Sequence, residues 1–247
     1  MNIFTASIGK QKPILFIING ESNSGGYALN SQAPSNEIGQ RDNVQILNNT
    51  TLLFETLNIG SNNLIGHAGM SSNTTHGMEL EIANRRNNIP FYKKGIKIIK
   101  TGQGGSTISE WNTNGSYYTT FKERIDAVKG IINLKDYKVF ILFSLGINDA
   151  VSGTNINTWK SGVIQHFQNL RNEIGSGLIP IIMTEFQGMG NGGTQYNSFN
   201  TAIQEIAANP NFYSVNTASA GLRDVNHWDY YGMKYVTGLI LDVCEML

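Results

Sequence analysis

A serine, a histidine and a carboxylate carried by one chain are enough for acyl transfer if the fold brings them together. Here the pieces are Ser22, in Gly20-Glu21-Ser22-Asn23, and the pair Asp224 and His227, in Asp224-Val225-Asn226-His227 near the other end. A serine hydroxyl is a weak nucleophile at neutral pH and needs a base within reach. His227 can take its proton. Asp224, one loop turn earlier, can reach the other imidazole nitrogen, fix the tautomer and stabilise the imidazolium that forms. Asp229 is a competing acid near His227; it ranks second because it opens the terminal helix and can cap it. The negative oxygen of a tetrahedral intermediate needs donors, and the natural set is the N–H of Ser22, the N–H of Gly104 or Gly105, and the side-chain amide of Asn148.

Other chemistries find less support. His67, His76 and His166 lie far apart with no His-x-x-x-His spacing, so neither a metal nor any other cofactor is expected. The dinucleotide fingerprint and the P-loop ending are both missing, which argues against nucleotide binding. The one cysteine, Cys244, sits in the apolar stretch 239–247 and reads as a buried small hydrophobe; no intrachain disulfide can form. Lys plus Arg and Asp plus Glu are 18 each, so the net charge of zero argues against a nucleic-acid partner or a polybasic membrane surface. No apolar run reaches the roughly 18 residues of a membrane span. The first twenty residues lack the long apolar stretch and cleavage site of a signal peptide; a secreted or periplasmic chain whose signal has been removed fits, and so does a cytoplasmic one. Charged residues make up only 15% of the 247, against 40% hydrophobic, so neutral polar groups, Asn above all, must cover the surface. Such a surface suits a polar, uncharged ligand such as a sugar.

Residues this far apart must be gathered by regular elements. Continuous or β-branched apolar runs predict strands at Ile14–Asn19, Gly95–Lys100, Val139–Leu145, Leu178–Thr184 and Phe212–Val215. Apolar residues at helical spacing predict helices over Thr75–Asn87, with Thr75 as cap, and over Tyr118–Ile132, Asn157–Ile174, Gln195–Ala208 and Tyr230–Leu247. Pro180 places its strand's first residues at the sheet's start or edge. Strands alternating with helices imply an α/β fold with a parallel sheet covered on both faces, in one domain spanning 1–247. The Asn/Ser/Gly-rich stretch 25–73 reads as a long insertion without clear elements of its own. Ligands bind beyond the carboxyl ends of parallel strands. Four of the five strand ends carry the serine, the glycines, the amide and the acid–base pair named above.

Taken together, Gly20-Glu21-Ser22-Asn23, Gly104-Gly105-Ser106, Gly146-Ile147-Asn148-Asp149 and Asp224-Val225-Asn226-His227 resemble the four blocks of the SGNH (GDSL-like) hydrolases. The Gly-x-Ser-Asn form is similar to the carbohydrate-esterase branch, with its sialate O-acetylesterase-like and acetylxylan-esterase-like enzymes. So are Gly77-Met78-Glu79-Leu80, the Gly105-Ser106-Thr107-Ile108 stretch followed by Trp111, and His227-Trp228-Asp229-Tyr230-Tyr231-Gly232. The resemblance implies a three-layer α/β/α sandwich with a five-stranded parallel sheet, and a cofactor-free serine esterase. Ser22 would be the nucleophile, His227 the base and Asp224 the orienting acid, with an oxyanion hole from Ser22, Gly104 and Asn148. It implies an acetylated carbohydrate as substrate, with Glu21, Asn23, Trp111, Trp228, Tyr231 and the Asn-rich insertion as candidates to contact it. A lipase or thioesterase of the same superfamily and a non-catalytic carbohydrate-binding domain are the alternatives. Two positions depart from the branch: Glu21 stands where Gln or Asp is usual, and Gly-Ile-Asn-Asp follows the third strand in place of Gln-Gly-Glu.

Overall fold

The computed structural model describes residues 12–63, 72–86, 92–187 and 195–247. In chain order the elements are β1 (Ile14–Gly20), α1 (Ser22–Gly25), β2 (Ala28–Leu29), β3 (Gly39–Leu47), β4 (Phe54–Ile59), β5 (Thr75–His76), α2 (Met78–Arg86), β6 (Ile96–Lys100), α3 (Ser116–Ile131), β7 (Lys138–Ser144), α4 (Ile147–Val151), α5 (Ile156–Ile174), β8 (Ile181–Thr184), α6 (Gln195–Ala207), β9 (Phe212–Val215) and α7 (Tyr230–Met246).

β1 lies at the centre because all seven of its residues are buried, a pattern only a strand covered on both faces can satisfy. Its alternation divides the interior. Leu15 and Ile17 join Phe121, Phe143, Trp159 and Phe167 on the face covered by α3, α5 and α6. Ile14, Phe16 and Ile18 join Phe140, Met233, Val236 and Ile240 on the face covered by α2 and α7. The result is the expected three-layer α/β/α sandwich. Cys244 is buried within the second face.

The sheet has seven strands in the order β4-β3-β6-β1-β7-β8-β9, not five. The five expected strands form the run β6-β1-β7-β8-β9, all parallel. The extra two come from the stretch read as an insertion without elements: β3 adds parallel to β6, and β4 folds back antiparallel on β3 to close that edge. Thr75 does not cap α2; it lies in β5, paired with Leu29 of β2, and the helix begins at Met78. Asn87, the expected end of that helix, lies outside the described residues, as does His67. Pro180 directly precedes β8, where it costs the ladder no donor. No helix among the described residues is long and apolar enough to cross a membrane.

Candidate active site

The carboxyl end of β1 runs straight into Ser22. Gly20 makes that turn with φ +131°, and a Cβ there would fall 2.1 Å from the Ser144 carbonyl oxygen of β7, so the step from strand to serine admits glycine alone. α1 is then fixed by Gly25 N–H to Glu21 O (2.9 Å) and Gly26 N–H to Ser22 O (2.8 Å). The loop after β6 packs against it: a Cβ on Gly102 would sit 2.5 Å from Gly25 N, and Gln103 N–H donates to Gly20 O. That approach sets Gly104 and the exposed Gly105 beside the serine turn. The N–H groups of Ser22 and Gly104 have no acceptor among the described residues.

The loop between β9 and α7 reaches the same rim. His227 Nε2 lies 3.0 Å from Ser22 Oγ, and His227 Nδ1 lies 2.8 and 2.9 Å from the two oxygens of Asp224. The loop is drawn tight by Arg223 N–H donating to His227 O, and by Asn226 N–H and His227 N–H both donating to Asp224 Oδ1. Partial burial alone would raise the Asp224 pKa; the hydrogen bonds from Asn226 and from the His227 ring and backbone outweigh it and hold the carboxyl below its usual range. Asp229 instead accepts from Gly232 N–H at 2.7 Å and caps α7, so it plays no part at the imidazole.

One contact at the imidazole has no counterpart in the sequence reading. The Tyr27 ring stacks on His227 with centroids 4.1 Å apart and planes 10° from parallel. Arg223 ties the Tyr27 carbonyl by a 2.6 Å hydrogen bond and stands 3.7 Å from Asp224. Tyr27 lies five residues past Ser22 in a polar stretch with no periodicity, so no spacing signal marks it.

Asn148, at the first turn of α4, meets Glu21. The Glu21 carboxylate accepts from Gly146 N–H (2.9 Å), Ile147 N–H (2.7 Å), Asn148 N–H (3.3 Å) and the Asn148 side-chain amide. Its neighbour Asp149 points the other way and accepts Ile108 N–H at 3.0 Å, tying the loop that carries Gly104 and Gly105 to α4. Burial pushes Asp149 up to about 6 and Glu21 up to about 7, the latter against the pull of its N–H donors.

Four of the five residues expected to contact a sugar are withdrawn from solvent. Glu21 is fully buried beneath Asn148. Asn23 donates to Asn226 O at 3.0 Å and accepts from Trp228 N–H at 3.3 Å, bracing the histidine loop. Trp111 is 1% exposed, donates to Ser106 Oγ and packs on His166. Trp228 is buried in the core under α7. The polar neighbours of Ser22 thus brace loops, and the large aromatics fill cores, as their apolar area favours. Tyr231 alone is open to solvent, at 70%. His76 and His166 are buried and engaged elsewhere, on Asn30 and Asn19 respectively.

Comparison with known proteins follows the same lines. The structure is similar to that of an Arabidopsis thaliana protein (TM-score 0.77, 15% identity, covering 95% of this chain and 98% of that one). It is also similar to NanS (TM-score 0.71, 12% identity, 96% and 97%) and to a carbohydrate acetylesterase from Xanthomonas citri (TM-score 0.66, 13% identity, 92% and 55%). At these identities the likeness is one of fold. No curated protein matches the sequence. A family model does match it, from residue 12 to residue 236. A match that runs from the start of β1 into α7 takes in every loop of the rim, and the chain belongs to the carbohydrate esterase, sialic acid-specific acetylesterase, family.

Proposed function

We propose that the protein is a serine esterase that removes O-acetyl groups from a carbohydrate. The observation that carries this reading is the continuous hydrogen-bonded chain from Ser22 Oγ through His227 to Asp224 at the carboxyl rim of the sheet. Ser22 Oγ attacks the acetyl carbonyl while His227 Nε2 takes its proton. The oxyanion is received by the N–H groups of Ser22 and Gly104, with Gly105 adjacent, and by the Asn148 amide. Collapse expels the sugar oxygen, which takes the proton back from His227 and leaves an acetyl ester on Ser22. Water, deprotonated by His227, then releases acetate and restores the hydroxyl. Family membership supports the acetylated carbohydrate, either a polysaccharide or a sialic-acid-type sugar. Tyr231, exposed in the first turn of α7, is the candidate aromatic for a sugar to stack on.

Ser22→Ala is expected to abolish hydrolysis of a chromogenic acetyl ester with an unchanged melting temperature, and a fluorophosphonate probe is expected to label the wild type at Ser22 alone. Retained turnover in Ser22→Ala would remove the serine from the mechanism. Rates that climb from acetyl to longer acyl chains would replace the acetylesterase reading by a lipase or thioesterase. Acetate release across acetylated xylan, pectin, sialic acid and simple acetylated sugars identifies the substrate.

A further inference from the structure

Glu21 carries four N–H donors on one carboxylate, has no exposed surface, and pairs with no ammonium or guanidinium among the described residues. A buried carboxylate without a cation is expensive to keep. Its hydrogen bonds all go to the strand-to-helix step that presents Asn148. A carboxamide nitrogen has two hydrogens. Holding one on Glu21 fixes the plane of the amide and so the direction of the other. Because Glu21 is bonded to Ser22, the same step of chain that supplies the serine N–H also orients the Asn148 amide.

We propose that Glu21 is a positioning residue whose carboxylate sets the orientation of the Asn148 amide and with it the oxyanion site shared by Asn148 and Ser22. The inference rests on the esterase reading above. Glutamine has the same shape but replaces one acceptor oxygen by an NH₂ group that only donates. If its oxygen keeps Gly146 and Ile147, its NH₂ faces the two donors of Asn148, and the amide is turned out of place.

The test is a double-mutant cycle on acetyl ester hydrolysis at pH 8, together with a readout that needs no turnover. Asn148→Ala is expected to lower kcat by about 10²–10³. Glu21→Gln is expected to lower kcat by about 10- to 100-fold with KM within about twofold, and the double variant is expected to be no slower than Asn148→Ala alone. A wild-type kcat in Glu21→Gln, or a double variant slowed by the product of the two single losses, would overturn the proposal. Should Glu21→Gln melt below the assay temperature, the cycle run with Glu21→Asp, which keeps a charged acceptor, is judged by the same non-additivity. In the second arm, the ¹H–¹⁵N signals of the Asn148 side chain are assigned by their loss in Asn148→Ala. One amide proton is expected well downfield of its partner in the wild type, and the separation is expected to shrink in Glu21→Gln. An unshifted pair in the wild type overturns the clamp whether or not the protein hydrolyses acetyl esters. Absence of Ser22-dependent hydrolysis alongside a shifted pair overturns the esterase reading instead.

Discussion

His227 is held at both its edge and its face: Asp224 takes Nδ1, and the Tyr27 ring covers one side of the imidazole. An aromatic face favours a cation laid against it, by about 0.5–2 kcal/mol depending on exposure. On the proposed mechanism, Tyr27 would both align the ring and stabilise the imidazolium that attack forms. Tyr27→Ala is expected to lower kcat roughly tenfold, in line with that energy, while Tyr27→Phe stays within about twofold of wild type; steady-state kinetics on an acetyl ester checks both. At this scale the meeting of Ser22, His227 and Asp224 at one rim is readable because residue type and place at a strand tip coincide there. The sequence is unreadable where only orientation matters. Glu21 reads as a rim residue because it adjoins Ser22, yet its extended backbone (φ −99°, ψ −150°) turns the side chain inward. The two departures from the branch pattern, Glu21 and Gly-Ile-Asn-Asp, are then one feature, since the glutamate meets the asparagine amide directly.

Among the elements, the β1–α1 junction has the least freedom. Gly20→Ala would set a methyl against the Ser144 carbonyl at a backbone angle that side chains rarely adopt. It is expected to destabilise the fold by more than about 2 kcal/mol, measured by urea denaturation, and to cost activity by displacing Ser22. β1, β7 and β8 are legible because burial on both faces leaves unbroken apolar runs; β9, on the far edge, is marked by its Phe, Tyr and Val residues. β3 and β4 are not. In β3 only Val44, Ile46 and Leu47 are buried behind the polar run Gly39–Asn43, and β4, on the edge, buries only Leu57 and Ile59. β4, at the edge, satisfies half its backbone with solvent and needs one apolar face at most, and the three buried residues of β3 sink into the polar background of the stretch that holds both.

For the molecule as a whole, four deeply buried titratable groups set the response to pH in opposing pairs. Burial raises Glu21 from 4.5 to about 7 and Asp149 from 3.8 to about 6. Between those values the native state holds protons the unfolded chain has released, so these two weaken the fold as pH rises. Burial lowers His76 from 6.5 to about 4 and His166 from 6.5 to about 3. Between those values the unfolded chain binds protons the native state refuses, so these two weaken the fold as pH falls. Near pH 5 the pairs cancel, and stability is expected to be nearly flat there. His166→Gln removes one of the two groups on the histidine side: its stability should rise on acidification from pH 6 to pH 5 by about 1.4 kcal/mol per unit relative to wild type. Denaturation midpoints across that range decide it, and parallel wild-type and variant profiles would count against the assignment. Asp224, already held below its ordinary 3.8, acts only at lower pH. The sheet order has a last consequence for synthesis and turnover. Ser22 and His227 stand 205 positions apart yet touch across the rim, the one leaving the central strand and the other arriving after the outermost. On the proposed mechanism, a nascent chain halted before the final loop, or one clipped of it by a protease, would keep its hydroxyl and lack the imidazole that draws the proton away. Such partial chains are then expected to be chemically silent towards acetyl esters.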